Sequence, residues 1–278
     1  GAFLQAGVAE LTMATIMNGI ALHGGLQCAC GTFFVFSDYM KPAIRMSALM
    51  ELPVKFVWSH DSFRVGEDGP THQPVEQEAQ IRLLEEMKNH RGRNSMLVIR
   101  PADSAETTIA WKMAMENVDT PTGLILTRQD VEDIPAIRGD RYEDALQMER
   151  GGYAVTECEN PDVVLVGNGS DVLLLIKAAE ILRQENIKSR VISVPAIGLF
   201  MDQSEEYRNS LMPKGVPVFG KTSGIPSTLL RVVGTDGYIS GITHFGYSAP
   251  YKVLEDKFGF TVEATAAEIK NYLESLRK

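Results

Sequence analysis

The clearest chemical signal in the sequence is a glycine- and proline-rich stretch, residues 66–73, which reads Gly-Glu-Asp-Gly-Pro-Thr-His-Gln. Glycine and proline impose an unusual backbone path, from which Asp68 and His72 can be presented to a ligand as hydrogen-bond acceptor and proton carrier. The stretch closely follows residues 52–61, which are predicted to form a buried strand ending in a second histidine-aspartate pair that begins at His60. Because ligands of open parallel sheets bind at the carboxyl ends of strands, the sequence predicts a polar site there.

Glu10 is a second candidate because it is the one carboxylate in residues 8–23, a segment that is apolar nearly all round. That composition predicts a buried helix, which Gly24 ends. Loss of hydration would disfavour the charged form of the carboxylate, so that it could remain protonated near neutral pH and donate a hydrogen bond. The alternative is a partly solvated carboxylate in the first turn, stabilised by the helix dipole.

The first half of the chain alternates strand-like and helix-like segments. Short β-prone runs predict strands at residues 28–36, 54–59, 96–100 and 123–127. Asp103 and Glu106 form a capping box at the start of a helix between the last two of these strands. The alternation predicts a mainly parallel sheet with helices on both faces. Arg128 follows the fourth strand, and its simplest interpretation is an exposed charge that closes the strand.

The second half is predicted to form a smaller α/β unit. Residues 131–150 are charged and contain breakers, so they are interpreted as a linker between domains at 1–130 and 151–278. The patterns predict strands at 163–166, 190–194 and 238–243, and helices at 171–184, from Ala249, and at the carboxyl end with Thr265 as its cap. Residues 167–170 contain Gly-x-Gly, but the third glycine of a dinucleotide site is missing, so a tight turn is the preferred interpretation.

Composition argues against several classes of protein. The 278 residues carry a formal charge of −9 and a pI near 5.2, which does not suit a nucleic-acid partner or an anionic membrane surface. No apolar run reaches the roughly 18 residues of a membrane span. The three cysteines form no zinc or disulfide pattern, which favours structural thiols in a reducing cytoplasm. The chain begins without methionine or a signal-peptide pattern, and we expect it to be a piece of a longer protein.

Several motifs, in their order and spacing, resemble transketolase. The matching stretches cover almost the whole chain and lie at residues 7–10, 17–25, 31–39, 60–62, 66–73, 100–103, 126–129, 151–153, 245–250 and 258–261. The resemblance implies a thiamine-diphosphate enzyme of the pentose phosphate pathway that moves a two-carbon ketol unit from a ketose phosphate to an aldose phosphate. It also implies two α/β domains in a cytoplasmic homodimer: a pyrimidine-binding domain with a mainly parallel sheet, then a smaller, Rossmann-like transketolase C-terminal domain.

The resemblance assigns cofactor roles to four residues. The family's glutamate that matches Glu10 hydrogen-bonds N1′ of the cofactor's aminopyrimidine and so turns the neighbouring amino group into a base. A carboxylic acid that is kept protonated suits that role. Phe33, Phe36 and Tyr39 match the aromatic wall around the pyrimidine. From the residues alone these three would be assigned to the core, and contact with a flat ring is the functional alternative.

The resemblance assigns substrate roles to four more residues. His72 and Asp68 match positions that contact the sugar hydroxyls and the reacting carbon, where an imidazole can move protons and a carboxylate can select hydroxyl stereochemistry. His60 and Arg128 match the substrate phosphate site. An arginine at the carboxyl end of a strand suits bidentate phosphate binding.

The chain also departs from the family pattern. Where the family has an arginine before the glutamate, this chain has Ala9. Where the family usually has Ile-Gly or Leu-Gly, this chain reads Phe-Arg-Val-Gly at residues 63–66, which includes Arg64. Arg64 is expected either to crowd the mouth of the site or to add a phosphate contact. The family's diphosphate-binding domain, which holds magnesium or calcium, has no counterpart in this sequence, so no metal ligand is assigned. The chain is therefore expected to be a fragment or separate subunit, inactive alone, that works with a diphosphate-binding domain or subunit.

Two alternatives stay open. Another thiamine-diphosphate enzyme, such as a deoxyxylulose-phosphate synthase or a dehydrogenase β subunit, would share the glutamate and the sheet. Residues 66–73, the aromatic spacing and Thr127-Arg128-Gln129 favour transketolase over these relatives. A noncatalytic dimerisation module would also account for a chain with only half of a cofactor site.

Overall fold

The computed structural model describes residues 2–277 and contains a separate β-sheet in each half of the chain. The first half consists of α1 (Glu10–His23), β1 (Ala29–Phe33), α2 (Ser37–Leu49), β2 (Lys55–Ser59), α3 (Gln77–Glu86), β3 (Leu97–Ile99), α4 (Ser104–Glu116) and β4 (Thr122–Ile125). Its four strands run in the order β1-β2-β4-β3 and are all parallel. Their carboxyl ends therefore meet along one edge of the sheet, as the alternating pattern predicts.

The two central strands, β2 and β4, are largely buried because helices cover both faces of the sheet. Phe56 and Trp58 of β2 and Val98 of β3 are fully buried, and the Trp58 ring lies tilted against Phe34 with centroids 5.5 Å apart. β1 ends at Phe33 rather than at residue 36, because the next three residues turn into a short 3-10 helix that leads into α2. This early end leaves the Phe33 side chain at the edge of the sheet, where ligands of parallel sheets bind.

The prediction that α1 is buried is wrong for this chain. Only Ala14 and Asn18 of this helix are buried, and Asn18 donates a hydrogen bond to the Ala43 carbonyl of α2 at 2.9 Å. The apolar residues on the other side face outward, including Leu22, which is 61% exposed. Just before the helix, Val8 is 98% exposed. The apolar composition of α1 predicts that other residues cover the helix on all sides, but residues 2–277 leave its outer side exposed.

The second half forms a mixed sheet with a parallel centre. It consists of α5 (Arg141–Ala145), β5 (Tyr153–Ala154), β6 (Val163–Gly167), α6 (Asp171–Gln184), β7 (Ser189–Ser193), α7 (Ile197–Met201), α8 (Glu205–Leu211), β8 (Val218–Lys221), α9 (Leu230–Val233), β9 (Tyr238–Ser240), α10 (Tyr251–Lys257) and α11 (Val262–Ser275). The strand order is β5-β7-β6-β8-β9, and β5 is antiparallel to β7 at the edge. The predicted fold class, two α/β units with mainly parallel sheets, is confirmed.

Of the two predicted helix caps, the one on α4 is present and the one on α11 is not. Asp103 caps α4 and accepts a hydrogen bond from the backbone N–H of Glu106 at 2.8 Å, as predicted. The prediction that Thr265 caps the last helix is wrong, since Thr261 caps it and Thr265 is fully buried one turn later. Glu268, which completed the apparent capping box, pairs with Lys221 instead.

Residues 131–150, predicted to be a linker, include α5 and a following 3-10 turn. Ala145 and Met148 in this segment are fully buried in the core that contains α4. Arg141 forms an ion pair with Asp103 at 2.6 Å, which ties the segment to the first half of the chain. Across residues 2–277, no helix combines the length and hydrophobicity that a membrane crossing requires.

Candidate active site

Residues from three strands meet at the carboxyl edge of the first sheet. Phe33 is the last residue of β1, His60 directly follows β2, and Arg128 lies three residues beyond β4. The imidazole of His60 stacks on the Phe33 ring with centroids 3.5 Å apart. The His60 backbone has a φ of 64°, in the left-handed region that residues other than glycine seldom adopt. Such strained residues concentrate at functional sites, where the surrounding structure holds them in place.

An aromatic cleft opens next to this edge. The cleft has a volume of about 670 Å³ and is lined by Gly7, Val8, Glu10, Thr32, Phe33, Phe36, Tyr39 and His72. Phe36 stacks beside Tyr39 with a centroid separation of 6.1 Å, and the edge of His72 meets Phe36 at 5.3 Å. Glu10 enters from the first turn of α1, where it is half-buried. The structure thus brings together five of the eight residues that the sequence singled out.

Asp68 and His72 lie on the glycine-rich stretch between β2 and α3. Gly66 and Gly69 have φ values of 85° and 77°, which only glycine adopts without strain, so both glycines are required for the path of this stretch. The backbone N–H of His72 donates to the carbonyl of Gly69 at 3.0 Å, and the His72 Nδ1 atom lies 2.9 Å from the Thr71 hydroxyl. The stretch presents Asp68 to solvent and the His72 ring to the cleft.

The other three predicted substrate residues, Asp68, His72 and Arg128, all act on the pKa of His60 through their charges. Burial lowers the pKa of His60 below its ordinary value of 6.5, and the positive charges of Arg128 and His72 lower it further. The carboxylates of Asp68 and Asp61 act in the opposite direction. The His60 ring therefore lies within reach of an exposed guanidinium group and an exposed carboxylate, an arrangement that suits recognition of a charged and hydroxylated ligand.

A buried ionic network lies behind the site, and no local pattern in the sequence predicts it. Arg100, directly after β3, donates to Asp61 Oδ2 from Nε at 2.9 Å and from Nη2 at 2.6 Å. Its guanidinium group also donates to Asn168 at 2.9 Å, to Ser223 at 2.7 Å and to Asp171 at 3.3 Å. The last three residues belong to the second half, so Arg100 joins the two halves directly behind His60. Arg100 lies in residues 100–103, one of the stretches that resemble transketolase. No local sequence pattern, however, predicts hydrogen-bond partners about 70 or 120 residues away.

Arg64 belongs to the same network, and the prediction that it crowds the mouth of the site or contacts phosphate is wrong. Its side chain is buried and donates to Asp171 at 3.1 Å and to Glu255 at 2.7 Å. Burial raises the pKa of the Asp171 carboxyl, but the guanidinium groups of Arg100 and Arg64 outweigh burial and hold that pKa below its ordinary value. Asp171 therefore stays ionised between two arginines, which partly offsets the cost of burying all three charges.

The network also explains the Gly-x-Gly turn before α6. Gly169 has a φ of 57°, and a Cβ atom added there would lie 2.6 Å from Arg100 Nε. The glycine is thus required for close contact with Arg100, which supports the interpretation as a tight turn. Among residues 2–277, no group of three or more His, Cys, Asp or Glu side chains is arranged to hold a metal ion.

Comparisons with known proteins agree with this geometry. Residues 1–133 match the family model for the transketolase pyrimidine-binding domain, and residues 151–261 match the model for the transketolase-like C-terminal domain. The transketolase of Bacillus subtilis is 43% identical over 267 residues, which are 95% of this chain and 38% of that protein. The transketolase of Geobacillus stearothermophilus is 43% identical over 96% of this chain and 39% of its own length.

Solved structures give the same result. A Pichia stipitis transketolase in complex with sedoheptulose 7-phosphate aligns with a TM-score of 0.82 and 36% identity, over 98% of this chain and 38% of that one. A transketolase from Leishmania mexicana aligns with a TM-score of 0.83 and 36% identity, over 97% of this chain and 37% of that one. A protein described as a split-gene transketolase, an inactive β4 tetramer, shares the fold with a TM-score of 0.74 and 23% identity, over 83% of its length.

The two matched domains account for most of the chain, in the order in which the two sheets occur. The chain spans somewhat less than two fifths of the length of the curated relatives it matches. It belongs to the transketolase family, of which it carries the pyrimidine-binding and C-terminal domains.

Proposed function

We propose that this chain supplies the pyrimidine-binding part of a transketolase active site. Together with a diphosphate-binding domain, it would transfer a two-carbon ketol unit from a ketose phosphate to an aldose phosphate, in the pentose phosphate pathway of the cytoplasm. The observation that carries the proposal is the cleft in which Glu10, three aromatic side chains and His72 meet. The cleft offers flat apolar faces for a ring and one carboxyl group for a ring nitrogen, so it fits the pyrimidine of thiamine diphosphate.

Glu10 is the residue proposed to act on the cofactor. When bound, thiamine diphosphate supplies the carbon centre that takes up the ketol group. Glu10 is half-buried in this chain, and a ring placed against Phe36 would withdraw more of its carboxyl group from water. In that position the carboxyl group would form a hydrogen bond with the ring nitrogen N1′. Phe33, Phe36 and Tyr39 orient the ring by stacking and edge contact.

His72 and Asp68 are proposed to act on the sugar. The His72 ring lines the cleft and can hold or release a proton at the reacting carbon and its hydroxyl group. Asp68 lies on the same stretch with its carboxylate exposed, so it can accept a hydrogen bond from a sugar hydroxyl of one configuration. The pairing of a proton carrier with an acceptor suits a chain of adjacent hydroxyl groups.

His60 and Arg128 are proposed to bind the substrate phosphate. Arg128 is exposed at the carboxyl edge of the sheet, close enough to lower the pKa of His60 by its charge. A guanidinium group and an imidazole N–H can both donate charge-assisted hydrogen bonds to one phosphate group. The Pichia stipitis relative was solved with a seven-carbon sugar phosphate, which supports this class of substrate.

The chain is proposed to need a second component. Its relatives are more than twice as long, and the diphosphate with its magnesium or calcium ion would be held by the diphosphate-binding domain, on the same or another polypeptide. The outward apolar side of α1 supports a homodimer, because its side chains would be covered at such an interface. Binding of thiamine diphosphate by this chain alone is expected to be weak, since most of the cofactor's charge would be unmatched.

The experiment that tests the proposal combines this chain with the diphosphate-binding domain of a transketolase, thiamine diphosphate and magnesium, and measures ketol transfer from hydroxypyruvate to an aldose phosphate. Activity of the mixture above that of either component supports the proposal. A complex that forms but stays inactive favours the alternative, a noncatalytic dimerisation module. The matched family models are those of transketolase, so they do not favour a deoxyxylulose-phosphate synthase.

A further inference from the structure

The segment that carries three of the proposed substrate residues is held along its length by the C-terminal domain. Residues 60–73 connect β2 to α3 and include His60, Asp68 and His72. One side of this segment faces the cleft through His72. The other side is joined to the second half at four successive places, at the first of them through Arg100 and at the others directly.

The first place is the buried pair formed by Asp61 and Arg100, whose guanidinium group is held in turn by Asn168 and Ser223. The second is Arg64, which forms ion pairs with Asp171 and Glu255. These contacts hold the start of the segment, directly after the strained backbone of His60.

The third place is apolar. The Phe63 ring meets the edges of Phe258 and Phe260 with centroids 5.1 Å and 5.0 Å apart. The guanidinium group of Arg64 lies over the Phe260 ring at 5.6 Å. The cation–π attraction between Arg64 and Phe260 adds to the ion pairs of Arg64. Residues of the second half therefore hold the 3-10 turn at the middle of the segment.

The fourth place is a pair of contacts at the glycine-rich stretch. Gln73 is buried, and its Nε2 group donates both to the carbonyl of Gly66 at 2.9 Å and to the carbonyl of Tyr247 at 3.0 Å. The hydroxyl of Ser248 donates to the carbonyl of Glu67. The Gln73 amide therefore bridges two parts of the glycine-rich stretch and also binds this stretch to the second half, directly beside His72.

The glycine at position 246 shows how tightly this contact is made. A Cβ atom added to Gly246 would lie 1.6 Å from Gln73 Oε1, so the backbone of the second half passes directly against the Gln73 side chain. Any larger residue at this position would push the Gln73 side chain aside.

We propose that Gln73 and Arg64 are positioning residues through which the C-terminal domain sets the orientation of Asp68 and His72 toward the substrate. The inference rests on the proposed roles of those two residues, but the geometry concerns the chain itself. Replacing Gln73 with methionine would keep the length of the side chain and leave the carbonyls of Gly66 and Tyr247 without their donor. The stretch could then move away from the second half and carry His72 with it.

The test uses the folded chain without cofactor, so it can fail independently of the proposed reaction. The chain has five histidines, which makes their ring signals resolvable by NMR. His72 is a reporter of position because its edge meets the Phe36 ring at 5.3 Å, and the aromatic ring displaces its proton signals. Amide hydrogen exchange of residues 66–73 provides a second measurement.

In Gln73→Met, we expect the His72 signals to move toward those of the exposed His90 and exchange across residues 66–73 to quicken about tenfold. Arg64→Met should produce the same direction of change, and Arg64→Lys should restore part of the native signal. The matched control is Glu85→Gln, which weakens another buried contact between the halves, the bond from the Gly198 N–H to Glu85 at 3.2 Å.

If Gln73→Met is folded and leaves the His72 signals and the exchange rates unchanged, the proposal is wrong. The proposal is also wrong if Glu85→Gln shifts the His72 signals as far as Gln73→Met does. Any weakening of the contact between the two halves would then be enough to move His72. Should Gln73→Met fail to fold, Ser248→Ala decides the question, because Ser248 is exposed and its loss is tolerable. A shift of His72 in the same direction supports the proposal, and an unchanged spectrum overturns it.

Discussion

The rings of His60 and Phe33 lie almost parallel, with centroids 3.5 Å apart and planes 15° apart. This contact joins the residue proposed to bind the substrate phosphate to the aromatic wall proposed to hold the pyrimidine. His60 is also the residue whose charge state depends on Arg128, Asp68 and its other neighbours. A change at the cofactor cleft is therefore expected to affect the phosphate site through His60, and a change at the phosphate site to affect the cleft.

The pKa of His60 gives a direct test of the site's geometry. Burial and the Arg128 charge lower it, whereas Asp68 raises it. Arg128→Ala should therefore raise the titration midpoint of His60 measured by NMR, and Asp68→Asn should lower it. Shifts in the same direction in both variants, or none in either, would show that these side chains do not surround His60. Arg45→Ala, at an exposed position on α2, serves as the charge control.

The same pKa predicts how stability depends on pH. The folded pKa of His60 lies below its ordinary value of 6.5, so the unfolded chain binds more protons between the two values. The contribution of His60 is fully present above pH 6.5 and is lost as pH falls toward the folded pKa. Urea unfolding of His60→Gln should show a shallower loss of stability across that window than the parent chain. An equally steep loss in the variant would place the responsible group elsewhere.

Phosphate recognition predicts a selective loss in the assembled enzyme. Arg128→Ala should raise KM for sugar phosphates by about tenfold to a hundredfold, since a lost charge-assisted hydrogen bond costs roughly 1.5 to 3 kcal/mol. KM for hydroxypyruvate, which carries no phosphate, should change little. His72→Ala should instead lower kcat with both donors, because it is proposed to act at the reacting carbon. Equal weakening of both donors by Arg128→Ala would assign Arg128 a structural role.

The buried network predicts large losses of stability. Arg100→Met leaves the charges of Asp61 and Asp171 without their shared partner, and should cost about 3 to 5 kcal/mol of unfolding free energy. Gly169→Ala should cost more than Gly215→Ala. Both glycines have a positive φ, but a Cβ atom at Gly169 meets Arg100 at 2.6 Å, whereas nothing lies within 4 Å at Gly215. Similar losses for the two glycine variants would contradict the close contact.

Much of the fold and of the candidate site could be predicted because the signals are local. Alternating strands and helices predict a parallel sheet, and parallel strands bring their carboxyl ends to one edge whatever their order. His60 is therefore expected beside Phe33, and Arg128 near His60, without any knowledge of long-range contacts. The glycines at 66 and 69 similarly predict an unusual path, which the positive φ values confirm.

The remaining features depend on partners far apart in the chain. Arg64 pairs with Asp171 and Glu255, more than a hundred residues away, so its sequence neighbours could not distinguish a buried ion pair from a phosphate contact. The apolar composition of α1 indicates a helix that is stabilised by burial, but it does not indicate which residues would bury it. The prediction that this chain buries α1 is therefore wrong. Thr265 fits a capping pattern by chance, because Glu268 has a different partner in Lys221.

The most direct test of the proposed role of Glu10 is the rate of ketol transfer by Glu10→Gln in the assembled enzyme, formed with a diphosphate-binding domain and saturated with thiamine diphosphate. The control is Glu263→Gln, which changes an exposed glutamate in the first turn of α11, a helix as long as α1. The proposed role of Glu10 predicts that Glu10→Gln lowers kcat by about a hundredfold or more, the size expected for a group that promotes proton transfer, while Glu263→Gln stays near the parent rate. A Glu10→Gln enzyme that transfers ketol units at the parent rate would contradict it.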